Sequence, residues 1–101
     1  MTIRHVVTWR LAAADEADRA AHADEIVRRL TNLVGVVPSI LSLTAGAESL
    51  YVGTNWDVVL IADFADQEGL EAYQVHPAHK EAGAFIRSVV ADRVAVDFHV
   101  D

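Results

Sequence analysis

Ile3-Arg4-His5-Val6-Val7-Thr8-Trp9-Arg10-Leu11 is the stretch on which the reading of the fold turns. Ile3, His5, Val7, Trp9 and Leu11 fall on one side of an extended chain, and Arg4, Val6, Thr8 and Arg10 on the other. The β-branched and aromatic side chains suit a pleated surface, so a strand with one apolar face is predicted. A single polar group, His5, shares that face.

Outward from this strand, Asp15-Glu16-Ala17-Asp18 supplies an N-cap and a first helical turn rich in acids. Ala23, Ile26, Val27, Leu30, Leu33 and Val34 then recur at helical spacing, while Asp24, Glu25, Arg28 and Arg29 face water. Gly35 ends this helix and Pro38 keeps it from resuming. Residues 40–45 read as a second strand and 46–55 as a loop. Residues 56–64 form a third strand, apolar almost throughout, as in a strand covered on both faces. Asp66 opens a short helix carrying Leu70 and Tyr73, which His76-Pro77-Ala78-His79 interrupts. Pro77 suits the first turn of a new helix running through Phe85, Ile86, Val89 and Val90. Residues 93–100 alternate as a last strand.

The order βαββαβ predicts an α+β, ferredoxin-like domain spanning residues 1–101, with an antiparallel four-stranded sheet and its helices on one face. The second face is expected to carry Val6, Thr8, Val58, Leu60, Ala62 and one alternate set from the last strand. Such a face is too apolar to stay in water, and a second copy of the chain is its simplest cover. A homodimer is therefore expected.

Composition narrows the function classes. Fifteen acidic residues against 8 Lys and Arg leave a formal charge of −7, which argues against nucleic acid or an anionic membrane as partner. Cys is absent, which removes disulfides, thiol nucleophiles and thiolate metal sites. The amino terminus enters a strand pattern without a signal-like apolar segment, so a cytoplasmic location is expected. Phosphate-cradling glycine loops and a G-x-S-x-G turn are missing from the sequence, so no cofactor is expected.

The polar residues that stand out are His5, Asp57 and the block Tyr73-x-x-His76-Pro77-x-His79. Imidazole is the natural acid–base group near neutral pH. With a phenol beside it, it can polarise a carbonyl and remove the adjacent proton. The bland alternative makes Pro77 a helix starter, His76 a local cap and Tyr73 core packing. His76 and His79 with His5 or Asp57 make an incomplete ligand set, and no metal is expected.

Taken together, Ile3-Arg4-His5-Val6-Val7-Thr8-Trp9, Trp56-Asp57-Val58-Val59-Leu60, Tyr73-Gln74-Val75-His76-Pro77-Ala78-His79 and Asp92-Arg93-Val94-Ala95-Val96-Asp97-Phe98 resemble the stress-responsive dimeric α/β-barrel (Dabb) family over essentially the whole chain. The resemblance implies a ferredoxin-like monomer whose sheets pair into a dimeric barrel. Members include heat-stable, stress-induced plant proteins and a plant polyketide cyclase that closes olivetolic acid. In that cyclase the acid–base pair matches Tyr73 and His79, and a pocket histidine matches His5. Asp57 departs from it, standing where the cyclase has a histidine. The expected site thus has Tyr73, His79 and His5 as catalytic groups, and Val7, Trp9, Leu30, Asp57, Val59, Ile61 and His76 as pocket residues. The ligand is expected to be small and apolar or polyketide-like. The alternative is a non-enzymatic stable dimer that binds a ligand or partner.

Overall fold

In the computed structural model, which describes residues 1–100, the order is β1 (Thr2–Leu11), α1 (Glu16–Thr31), β2 (Ser42–Ala47), β3 (Val58–Phe64), α2 (Gln67–Val75), α3 (Pro77–Val89) and β4 (Val90–Val100). The strands form one antiparallel sheet in the order β2-β3-β1-β4. This is the ferredoxin-like α+β fold, with all three helices on one side. None of those helices is long and apolar enough to cross a membrane.

Local chemistry sets the element ends. Asp15 is extended at φ −76° and its carboxylate accepts the Asp18 N–H at 3.0 Å, capping α1. The helix stops at Thr31, one turn earlier than the apolar stripe suggested. Leu33 and Val34 donate to carbonyls three residues back, at 3.1 and 3.2 Å, which tightens the exit. Leu33 and Val37 are nevertheless buried, so the stripe continues through a turn. Gly35, at φ +85°, lets the chain reverse there.

β1 sits between β3 and β4, and its alternation organises the core. Val7, Trp9 and Leu11 meet Ile26, Leu30, Phe64, Tyr73 and Ile86 beneath the helices. The pairings Trp9↔Val58, Val7↔Leu60 and His5↔Ala62 put Val58, Leu60 and Ala62 in this same core, each 2% exposed or less. The expected composition of the second face is therefore corrected. Val59 and Ile61, across from Thr8 and Val6, stand on the open face with Val94, Val96 and Phe98. β3 is apolar on both sides from Val58 to Ala62, so only Asp63, and Asp57 just before the strand, mark the phase that puts Val59 and Ile61 on the open face. A one-residue shift exchanges every side chain between faces. The open face is apolar all the same: Ile61, Val94, Val96 and Phe98 are all exposed. At its end Arg4 holds Asp63 in a two-pronged pair of 2.9 and 3.0 Å. The hydrogen bond from Arg4 keeps the Asp63 carboxyl below the usual carboxylate range.

Asp57 ties the start of β3 to the end of β1. Its N–H donates to the Trp9 carbonyl at 2.9 Å, and its carboxylate accepts the Leu11 N–H at 2.8 Å. Replacing Asp57 by Ala should cost about 1–2 kcal/mol in denaturant unfolding, because the Leu11 N–H loses its acceptor. Ligand affinity per folded molecule should stay unchanged.

Candidate functional site

Between the sheet and the helices lies a cavity of about 270 Å³. β1 contributes His5, Val7 and Trp9, while α1 supplies Leu30, β3 Leu60 and α2 Tyr73. His79, Gly83, Ile86 and Arg87 come from α3, and Val90 and Arg93 from β4.

The break between α2 and α3 aims the key histidine. His76 is extended at ψ 136°, and its Nδ1 accepts the Ala78 N–H at 3.0 Å, so this ring caps α3. Pro77 starts the helix without a backbone donor to satisfy. His79 then falls on the first turn, facing inward, with its Nδ1 3.2 Å from the Gln74 carbonyl oxygen. A carbonyl only accepts, so Nδ1 carries the proton in the neutral ring and Nε2 keeps the lone pair. Burial lowers the pKa of His79 below its ordinary 6.5; the Gln74 contact opposes this, and His5, Arg87 and Arg93 add to it. His79 is thus a neutral base near pH 7.

Tyr73 is fully buried, its ring centroid 4.3 Å from that of His79, 5.0 Å from that of Phe64 and 6.3 Å from that of His5. Its hydroxyl is buried without a hydrogen-bond partner among the described residues. Burial pushes its pKa up to about 12, with Arg93 pulling the other way, so it remains a donor. An orphaned hydroxyl beside a cavity invites an acceptor from outside the protein. His5, 3% exposed, bonds through Nδ1 to the Asp97 carboxylate directly across the β1–β4 pairing. That engagement fixes the ring and leaves Nε2 as its remaining polar atom.

Of the residues singled out in the sequence, His5, Val7, Trp9, Leu30, Tyr73 and His79 line this one cavity. Four stand elsewhere. Asp57 is spent on the backbone of β1, and His76 on its helix cap. Val59 and Ile61 lie on the far side of the sheet. His76 and His79 turn their Nδ1 atoms to different backbone groups, and no group of three or more His, Cys, Asp and Glu side chains gathers among the described residues. Sequence reasoning missed Asp97, Arg93, Arg87 and Gly83. Asp97 and Arg93 belong to the polar half of the last strand's alternation, which reads as its solvent side. Only the pairings His5↔Asp97 and Trp9↔Arg93 reveal that this half points toward the helices.

The model of the stress-responsive A/B barrel domain, Dabb, matches residues 3–100. The chain belongs to this family. Among solved structures, a dimeric ferredoxin-like protein of unknown function from Thermobifida fusca is 32% identical, with a TM-score of 0.83 over 99% of this chain and 92% of that one. A dimeric protein of unknown function from Bacteroides fragilis superposes at a TM-score of 0.89, with 19% identity over 98% of this chain and 96% of that one. The hydroxynitrile lyase from Passiflora edulis shares the fold at a TM-score of 0.78 and 13% identity, over 99% of this chain and 94% of that one. No curated protein sequence matches the chain.

Proposed function

We propose that this Dabb protein is a homodimer whose cavity binds a small carbonyl compound and works on it by acid–base catalysis, without a cofactor. Tyr73 donates its O–H to the carbonyl oxygen. His79 Nε2 takes a proton from the adjacent carbon, and the C–H electron pair forms the enolate held by Tyr73. In a polyketide-like substrate that carbon then attacks a second carbonyl of the same molecule, and the imidazolium returns its proton to the new alkoxide. His5, held by Asp97, orients the substrate through Nε2. The single observation that carries this reading is the pairing, in one cavity, of an imidazole and a buried phenol whose Nε2 and hydroxyl, respectively, have no hydrogen-bond partner among the described residues. The homodimer rests on the apolar open face of the sheet and on relatives described as dimeric.

The test is deuterium exchange at the carbon beside a ketone carbonyl, followed by NMR in heavy water with simple aryl ketones as probes. The protein should accelerate exchange above the buffer rate. Binding without exchange would favour the second reading, a ligand-binding dimer. That reading draws on His76, which shows half of the His-Pro-x-His block acting as a helix cap.

Activity should also follow His79 in pH. Its pKa is lowered by burial, so activity should hold as pH falls through the ordinary imidazole value of 6.5 and decline only below it. The same shift acts on stability. Below 6.5 the unfolded chain binds the proton first, so stability falls as pH drops from there toward the folded pKa. A pH–rate profile and melting curves on one buffer series check both. A midpoint above 6.5 would contradict the assignment.

A further inference from the structure

Two guanidinium groups line the cavity that the proposed chemistry leaves idle, Arg87 of α3 and Arg93 of β4. The other arginines are engaged. Arg4, Arg10, Arg28 and Arg29 pair with carboxylates, and Arg19 donates to the carbonyls of Ala13 and Ala14. Arg87 and Arg93 have neither kind of partner among the described residues, in a chain carrying a formal charge of −7. Two like charges beside one apolar space repel each other, and an anion between them relieves this.

The helix is also shaped for one of them. Gly83 lies mid-helix in α3, where glycine is unfavourable, and a Cβ placed there would stand 3.2 Å from Arg87 Nη1. The missing side chain lets the guanidinium lie back over the helix along the cavity wall. Arg93 is paired with Trp9 on the helix side of the sheet, so a dimer formed through the opposite face leaves it free. The cavity lining thus combines the acid–base pair Tyr73 and His79 with two arginines, Arg87 and Arg93.

We propose that Arg87 and Arg93 bind a carboxylate of the substrate, so that the ligand class is an oxo acid with its carboxylate on the arginines and its reacting carbonyl on Tyr73 and His79. This deepens the acid–base reading and rests on it for the second half of that orientation.

The test compares phenylpyruvate with phenylacetone, in which a methyl group replaces the carboxylate, by titration of the intact dimer. Phenylpyruvate should bind about tenfold or more tighter, the worth of one charge-assisted contact. The preference should shrink with added salt and fall to about one in the Arg87→Gln/Arg93→Gln double variant, whose melting should be unchanged because both side chains are exposed. His79→Ala should keep the full preference, since it removes the base and leaves the anion site. Equal binding of both probes, a preference that survives the double variant, or no phenylpyruvate binding up to about 10 mM would each overturn the proposal. Preference for phenylpyruvate without any proton exchange upholds the anion site and sinks the acid–base reading alone.

Discussion

Tyr73→Phe and His79→Ala are expected to slow proton exchange on a ketone probe by roughly 10²–10⁴-fold each while the protein stays folded. The phenylalanine variant is the sharper of the two. The Tyr73 hydroxyl is buried and has no partner among the described residues, so deleting it breaks no internal hydrogen bond and removes a desolvated polar group. Its melting temperature should hold or rise while activity collapses. An architectural tyrosine gives the reverse, with a stability loss of about 1 kcal/mol or more and little else. For His79→Ala, the only side-chain hydrogen bond lost among the described residues is the one to the Gln74 carbonyl, and the helix cap stays with His76. Melting curves beside rates therefore separate catalysis from architecture.

A charge on the open sheet face should have the largest effect on assembly. Ile61 and Val96 flank Val6 across the sheet, and Ile61→Lys or Val96→Asp would bury an unpaired charge in the dimer. That penalty is several kcal/mol and is counted once per subunit, enough to leave folded monomers at micromolar concentration. The corresponding change one residue away, Leu60→Lys, should unfold the chain instead, because Leu60 is 2% exposed in the core. Sedimentation velocity distinguishes these outcomes. A folded wild-type monomer at micromolar concentration, or an Ile61→Lys protein that still dimerises, would contradict the assembly.

The contrast between Ile61 and Leu60 shows where the sequence was readable. β1 mixes charged and apolar residues in strict alternation, so its inward set was legible and His5 could be placed on it. β3 offers Val58, Val59, Leu60 and Ile61 in succession, and the one local clue to which face the helices is that Asp57 and Asp63 share the parity of Val59 and Ile61, a signal the apolar run hides. The block from Tyr73 to His79 was legible because proline punctuates it. Its division of labour, with His76 spent on the backbone and His79 turned into the cavity, follows from a ψ of 136° at His76, the extended backbone that a following proline favours. The cavity that His79 enters is assembled from distant elements and is not written in the block. Asp97, Arg87 and Arg93 were hidden for another reason. Each is an ordinary surface residue by type, and a neighbour gives it meaning: His5 for Asp97 and Trp9 for Arg93, both brought from a distant strand, and for Arg87 a glycine one turn back in the same helix.

The orientation and charge of His79 support the whole account, and long-range nitrogen–proton NMR correlation reads both from one pH titration. The account predicts a neutral His79 ring at pH 7 with the proton on Nδ1 and the lone pair on Nε2. It also predicts a midpoint below the ordinary 6.5, and an Nε2 signal that shifts when a ketone probe is added. A proton on Nε2, or a ring still charged at pH 7, would contradict it.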